Sequence, residues 1–353
     1  MSKPVRVMIV EDSAVVRQLL AHIVSRDPRL QLAAAVASAE EALAELERVR
    51  PDVISMDIRL PGMDGLEATR RIMAERPTPI VVIADAVEER GLRISMNALR
   101  AGALTVVEKP LGPAREGWER VAEAICTQLY IMSQVPVIRR RPSSLAPAAV
   151  QRPARPVPPI LPSRPALVGI AASTGGPPAL ARVLGALPQD FTAPVLLVQH
   201  MGAPFMEGFA AWLDGLVAPP VRIARDREVP RPGHVYVAPG DRHLGITAGG
   251  LLQVSEAPPV GGQRPAADVL FQSMARHLGP RGLGILLTGM GEDGARGLTA
   301  LHAAGGFTLA EDETTAVVYG MPAAAARMGG VSALLPLDLI GPRLLKAVGT
   351  DAS

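Results

Sequence analysis

Residues 136–165, "PVIRRRPSSLAPAAVQRPARPVPPILPSRP", hold nine prolines, six arginines and no acid. No helix or central strand can run through such a stretch, because each proline lacks an N–H donor and fixes φ. The backbone it favours is extended and polyproline-like, a semi-stiff spacer. The chain is therefore expected to fold as two bodies, and 353 residues give each enough length to bury its own core. The expected division is residues 1–134, a linker over 135–165, and residues 166–353.

The same segment accounts for the charge. Setting its six arginines aside turns the formal net charge of +2 into −4, so the basic balance belongs to the linker. With aromatics at 3%, no platform for stacking bases is visible, and nucleic acid is not an expected partner. No apolar run approaches the ~20 residues that span a bilayer. The run Val5–Val10 is followed at once by Glu11 and Asp12, which suits a first strand and not a signal-peptide core. One cysteine, Cys126, excludes an internal disulfide. A cytoplasmic protein without membrane insertion is expected.

On either side of the linker, short apolar runs alternate with helix-period patterns. Before it the strand candidates are Val5–Val10, Leu32–Val36, Val53–Met56, Ile80–Ala84 and Leu104–Val107. Amphipathic stretches lie between them at Ala14–Ser25, Ala39–Val49 and Gly65–Glu75, with a last helix from about Arg115 to Met132. After it the candidates are Leu167–Ala172, Val195–Gln199, Val235–Ala238, Gly284–Leu287 and Phe307–Ala310. Such alternation predicts α/β domains with parallel sheets covered on both faces. "HLGITAGGLLQVSE" (243–256) breaks the rhythm with two short runs about a Gly-Gly turn, which reads as a hairpin.

In a parallel sheet, function collects beyond the carboxyl ends of the strands. In the first half those ends carry Glu11-Asp12, Asp57 and Glu108-Lys109-Pro110. Converging acids repel unless a cation sits among them, and Mg²⁺ takes oxygen ligands while retaining water. Lys109 supplies a point charge for phosphate, and Asp57, directly after "VISM", is the natural acceptor of a phosphoryl group. "VMIVEDSAVVR", "DVISMDIRLPGMDGLE" and "VVEKP" resemble the receiver domain of two-component response regulators over roughly residues 4–125. The resemblance implies a flavodoxin-like fold, Asp57 as phosphoacceptor, Glu11, Asp12 and Asp57 around Mg²⁺, and Lys109 on the phosphate. One position departs: where receivers place Ser or Thr after the fourth strand, this chain has Asp85. An ionised carboxylate cannot donate a hydrogen bond and repels a phosphoryl oxygen, so a weakened or rewired switch is expected.

In the second half, "LVGIAASTGGPPAL" (167–180) ends an apolar strand in Ser173, Thr174 and two glycines. Such a bend can cradle phosphate or present a nucleophile at a helix N-terminus. The phosphate-loop patterns G-x-x-x-x-G-K-[ST] and G-x-G-x-x-G are absent. A nucleophilic serine needs a base, and of six histidines only His200, in "PVLLVQHM", ends the following strand. An acid to orient it lies in "LTGMGEDG", which bears Glu292 and Asp293. Ser173 could equally be a helix cap and Asp293 a turn acid; the spacing alone leaves both readings open.

"GIAASTGGPPAL", "VQHM", "GHVYVAPGDRH", "RPAADVLF", "LTGMGEDGARGL" and "GMPAAAARMGGVS" resemble the catalytic domain of chemotaxis protein-glutamate methylesterases over roughly 166–348. The resemblance implies Ser173 as nucleophile, His200 as base and Asp293 as its orienting acid. Thr174 and Met290 are secondary candidates, and Gly175 and Gly176 are candidate sources of oxyanion-binding N–H groups. It also implies glutamate γ-methyl esters on cytoplasmic chemoreceptor helices as substrate, glutamine deamidation as a side activity, and a chemotaxis histidine kinase as phosphodonor. No cofactor is implied for the esterase chemistry. The rival readings are the same esterase in a receptor pathway other than chemotaxis, and a phosphate-sink or docking regulator without catalysis. Ala171, where the family often has glycine, and "HMGAPFM" in place of "HMPPGFT" are departures at the rim.

Overall fold

The computed structural model describes residues 3–84, 98, 103, 105–110, 112, 118–135 and 165–349. Asp85 and the interior of the Pro/Arg segment lie outside them. The chain divides into two compact units, 1–153 and 154–353, with the division inside that segment.

The first unit runs β1 (Val5–Val10), α1 (Ala14–Arg26), β2 (Leu30–Val36), α2 (Ala39–Val49), β3 (Val53–Met56), α3 (Gly65–Glu75), β4 (Ile80–Ala84), β5 (Thr105–Glu108) and α4 (Trp118–Met132). Its strands pair in parallel in the order β2-β1-β3-β4-β5, the flavodoxin-like order that the receiver resemblance implies. β3 and β4 are buried on both faces, which is why they read as unbroken apolar runs. The helices start on short polar side chains: Ser13, Ser38 and Asp64 each accept a backbone N–H from the first turn. Ser13, and not Asp12, therefore caps α1, so Asp12 has no capping duty there. β2 begins two residues before the expected Leu32, and β5 ends on Glu108.

The second unit carries seven strands in one parallel sheet, ordered β14-β13-β12-β6-β7-β9-β8. These are β6 (Leu167–Ala172), β7 (Val195–Gln199), β8 (Val221–Ile223), β9 (Val235–Val237), β12 (Gly282–Leu286), β13 (Phe307–Glu311) and β14 (Ala333–Leu335). A separate antiparallel hairpin, β10 (His243–Ile246) with β11 (Leu252–Ser255), stands where the Gly-Gly turn predicted it. The helices are α5 (Gly176–Leu184), α6 (Met206–Asp214), α7 (Ala267–His277), α8 (Ala295–Ala303), α9 (Met321–Arg327) and α10 (Leu337–Val348). Strands β8 and β14 were not among the expected ones; at three residues each they are too short for a period-2 pattern to register.

The order places the functional edge. From β6 the chain adds β7, β9 and β8 on one side, then returns to lay β12, β13 and β14 on the other. The reversal lies between β6 and β12, and it opens a crevice beyond their carboxyl ends. Beneath it, α7 packs Leu270, Phe271 and Met274, all fully buried, against the sheet. Burial of each such side chain contributes about 1.5–3 kcal/mol. Gly169 in β6 makes this close approach possible, since a Cβ there would fall 2.5 Å from Met274 Sδ.

A corresponding constraint governs the first unit. A Cβ on Gly65, at the start of α3, would lie 2.1 Å from the Asp57 carbonyl oxygen and 2.8 Å from Ile58 Cα, both backbone. Gly65→Ala is therefore expected to destabilise the first unit by about 2 kcal/mol in urea unfolding of the whole chain. It should also displace the loop that carries Asp57. An unchanged unfolding curve would show that α3 yields freely at this point.

Candidate active site and acidic cluster

Three strand ends converge in the second unit. Ser173 follows β6, His200 follows β7, and Asp293 lies in the loop after β12. His200 Nε2 and Asp293 Oδ2 are 2.8 Å apart. Asp293 also receives the N–H groups that open α7: Ala267 N donates to Oδ2 at 2.6 Å and Asp268 N to Oδ1 at 3.0 Å. Burial alone would raise this carboxyl, but the His200 contact and the two helix N–H groups outweigh it and hold it below its ordinary value of 3.8. Because Asp293 is ionised, Nε2 must carry the imidazole proton, which leaves Nδ1 as the basic nitrogen. The serine-protease template has the two nitrogens the other way round.

Ser173 is half-buried, and among the described residues its hydroxyl makes no hydrogen bond to His200. The two are joined through backbone. His200 N donates to Ala172 O at 3.0 Å, and Gln199 Nε2 donates to both Ser173 O and His200 O at 2.9 Å. Two carbonyls on one nitrogen fix the amide's orientation, since its oxygen there would face acceptors only. Sequence reasoning passed over Gln199; the signal was a polar residue closing an otherwise apolar strand, and it is 1% exposed.

The loop after Ser173 turns on Gly175 at φ +76° and enters α5 with no side-chain cap. That conformation favours glycine, and a Cβ would in any case lie 2.5 Å from Val317 Cβ. Gly176 N already donates to Ser173 O at 2.8 Å, so of the two glycines only Gly175 offers an N–H without a described partner. Thr174 is buried, and its carbonyl accepts the Thr288 hydroxyl. Met290 is 47% exposed on the loop after β12. Of the neighbouring acids in that loop, Glu292 turns outward to Arg327 at 3.2 Å and only Asp293 faces His200. Two other histidines are engaged elsewhere. His243 is held between Pro258 O and Ala266 N, and His302 bonds Thr308 and Ser332.

In the first unit, Glu11, Asp12 and Asp57 offer carboxylate oxygens within 4.8 Å of one another. The ladder brings them together: Asp57 N donates to Val10 O, and Lys109 N to Ala84 O. Lys109 Nζ lies 2.8 Å from Asp57 Oδ2 and 3.0 Å from Glu11 Oε2. Burial and the Asp57 charge push Glu11 up to about 7, with Lys109 pulling the other way. Burial opposes the charge on Lys109, yet its contacts with Asp57 and Glu11 raise it above its usual value. The donor set is all carboxylate, three acids against one lysine, which fits a hard divalent cation. No helix among the described residues is long and apolar enough to cross a membrane.

Residues 168–344 match the family described as CheB methylesterase, and residues 7–116 match the response regulator receiver domain. The chain is 52% identical over 348 residues to protein-glutamate methylesterase/protein-glutamine glutaminase 2 of Paramagnetospirillum magneticum, covering 98% of this chain and 97% of that protein. It is 47% identical over 349 residues to the corresponding protein 4 of Myxococcus xanthus, again 98% and 97%. The crystal structure of the Thermotoga maritima CheB methylesterase catalytic domain superimposes with TM-score 0.50 at 36% identity, over 52% of this chain and 99% of that one.

The shift of Asp293 has a consequence for stability. Its folded value lies below 3.8, so its contribution is present above that pH and is lost as pH falls through the lower folded value. Acid unfolding followed by circular dichroism is expected to show this loss below about pH 4 in the wild type and not in Asp293→Asn. Superimposable acid limbs would contradict the assigned charge.

Proposed function

The chain belongs to the CheB methylesterase family with a receiver domain ahead of the esterase segment, and on that premise we propose that it hydrolyses glutamate γ-methyl esters of chemoreceptors under control of phosphorylation at Asp57. The observation that carries the reading is the His200–Asp293 pair at the sheet's reversal point, beside a serine on the adjoining strand end.

In this mechanism Ser173 Oγ attacks the ester carbonyl carbon as His200 Nδ1 takes the hydroxyl proton. Asp293 holds the imidazole by Nε2 and stabilises the imidazolium. The Gly175 N–H, at the uncapped start of α5, faces the developing oxyanion. His200 then protonates the departing methoxide, and methanol leaves. Water, deprotonated by the same nitrogen, attacks the acyl-enzyme carbonyl and releases glutamate and Ser173. A glutamine side chain follows the same path with ammonia as leaving group. Exposed Met290, next to Gly289, offers the receptor helix an apolar contact.

Asp57 takes the phosphoryl group, Lys109 contacts its oxygens, and the phosphodonor is a chemotaxis histidine kinase. Glu11, Asp12 and Asp57 would hold Mg²⁺, which when bound neutralises charge on the phosphoryl oxygens. Phosphorylation shifts a two-state equilibrium toward the active esterase. The protein works in the cytoplasm, on the receptors' cytoplasmic helices.

Methanol release from methylated receptor membranes, with and without a small phosphodonor, tests this. Ser173→Ala is expected to lower the rate by at least about 10³-fold. Asp57→Asn is expected to keep the unstimulated rate and lose the stimulation. Full activity in Ser173→Ala would overturn the nucleophile, and no methanol from any form would favour a docking or phosphate-sink role.

A further inference from the structure

Behind the nucleophile loop lies a buried acid that the mechanism above does not use. Glu311 closes β13 and is 0% exposed. Its Oε2 accepts the Thr288 N–H at 2.8 Å, and Oε1 has no hydrogen-bond partner. Burial pushes the carboxyl up to about 7, aided by the neighbouring Asp312 charge. The Thr288 N–H pulls the other way, as does the Thr315 hydroxyl. An acid that burial disfavours is costly to keep unless it does something an apolar residue cannot.

What it does is visible at its hydrogen-bond partner, Thr288, in the loop after β12. Thr288, also 0% exposed, spends every polar atom on the active-site frame. Its carbonyl accepts Ser173 N at 3.0 Å. Its hydroxyl donates to Thr174 O at 2.9 Å and accepts Val318 N at 2.9 Å. Its own N–H, deeply buried at a strand end, has Glu311 as acceptor. The next residue continues the frame: Gly289 N donates to Val318 O, and a Cβ on Gly289 would lie 2.8 Å from Ser173 Cβ. The backbone under the serine is thus set by Thr288, and Thr288 is set by Glu311.

We infer that Glu311 is a positioning residue for the nucleophile: its carboxyl fixes the Thr288 peptide, and through it the backbone of Ser173 and Thr174. The inference rests on the reading of Ser173 as nucleophile. It calls for an acceptor at this position and not for a negative charge. Glutamine satisfies that need, because its amide oxygen can take the Thr288 N–H. A methionine of similar length leaves the N–H buried and unpaired.

The experiment compares Glu311→Gln and Glu311→Met in the full-length protein, with methanol release from methylated receptor membranes as readout and Ser173→Ala as reference. A displaced nucleophile affects the chemical step and not substrate capture, so Glu311→Met should lose about ten- to hundred-fold in kcat with KM within about two-fold. Glu311→Gln should keep kcat within about three-fold. Wild-type kcat in Glu311→Met, equal damage in both variants, or an effect confined to KM would overturn the inference. Where Glu311→Met does not fold, Thr288→Val takes its place: it removes the links to Thr174 and Val318, and an unchanged kcat would be equally contrary. An active Ser173→Ala would remove the nucleophile reading and this inference together, whereas an inactive Ser173→Ala beside a fully active Glu311→Met removes only the inference.

Discussion

The Asp293 carboxylate joins three segments that the chain order keeps apart: the β12 loop, the N-terminus of α7 and the end of β7. Two helix N–H groups and one imidazole N–H converge on it, each favouring the charged form. A helix N-terminus carries partial positive charge, so the start of α7 stabilises this acid through its backbone N–H groups. The sheet reversal makes the convergence possible, since it lays β12 beside β6 and so brings the loop bearing Asp293 to the same edge as Ser173. A tether that kept Asp293 neutral or turned it outward would leave His200 free to rotate and to adopt either tautomer.

The two units apply one rule to different chemistry. In the first, Glu11, Asp57 and Lys109 follow the parallel strands β1, β3 and β5 and pair with one another while buried. In the second, the strand ends carry a hydroxyl, an imidazole and one carboxylate, the groups that the proposed mechanism uses for proton transfer. Both use the crevice edge because only there do strands distant in sequence present side chains to a common volume. Lys109 and Asp293 play comparable parts: each is a buried charge held by partners contributed from other strands or helices.

Much of this was legible in the sequence because strand ends are local events. An apolar run followed by a charged or hydroxyl residue marks the edge whatever the fold around it, which is how Glu11, Asp57, Ser173 and His200 were found. The family resemblance singled out Asp293 over Glu292, and the structure gives the physical difference, with Glu292 turned to Arg327. The short edge strands β8 and β14 escaped because three residues carry no periodicity. Gln199, Thr288 and Glu311 were illegible for another reason. Their importance lies in hydrogen bonds to backbone atoms of other strands, and no spacing in the sequence encodes such partners. The orientation of the His200 ring and the engagement of Gly176 N–H are likewise properties of packing. Asp85, where a receiver hydroxyl was expected, lies outside the described residues.

The central claim, that Ser173 is a serine activated by the His200–Asp293 pair, is tested most directly by covalent capture. The full-length protein is treated with a fluorophosphonate after activation by a small phosphodonor, and the adduct is located by peptide mass spectrometry. A single adduct on Ser173 is expected, formed in step with the loss of methanol-releasing activity and absent in His200→Ala. Activity that survives complete labelling, or an adduct on another residue that abolishes it, would contradict the account.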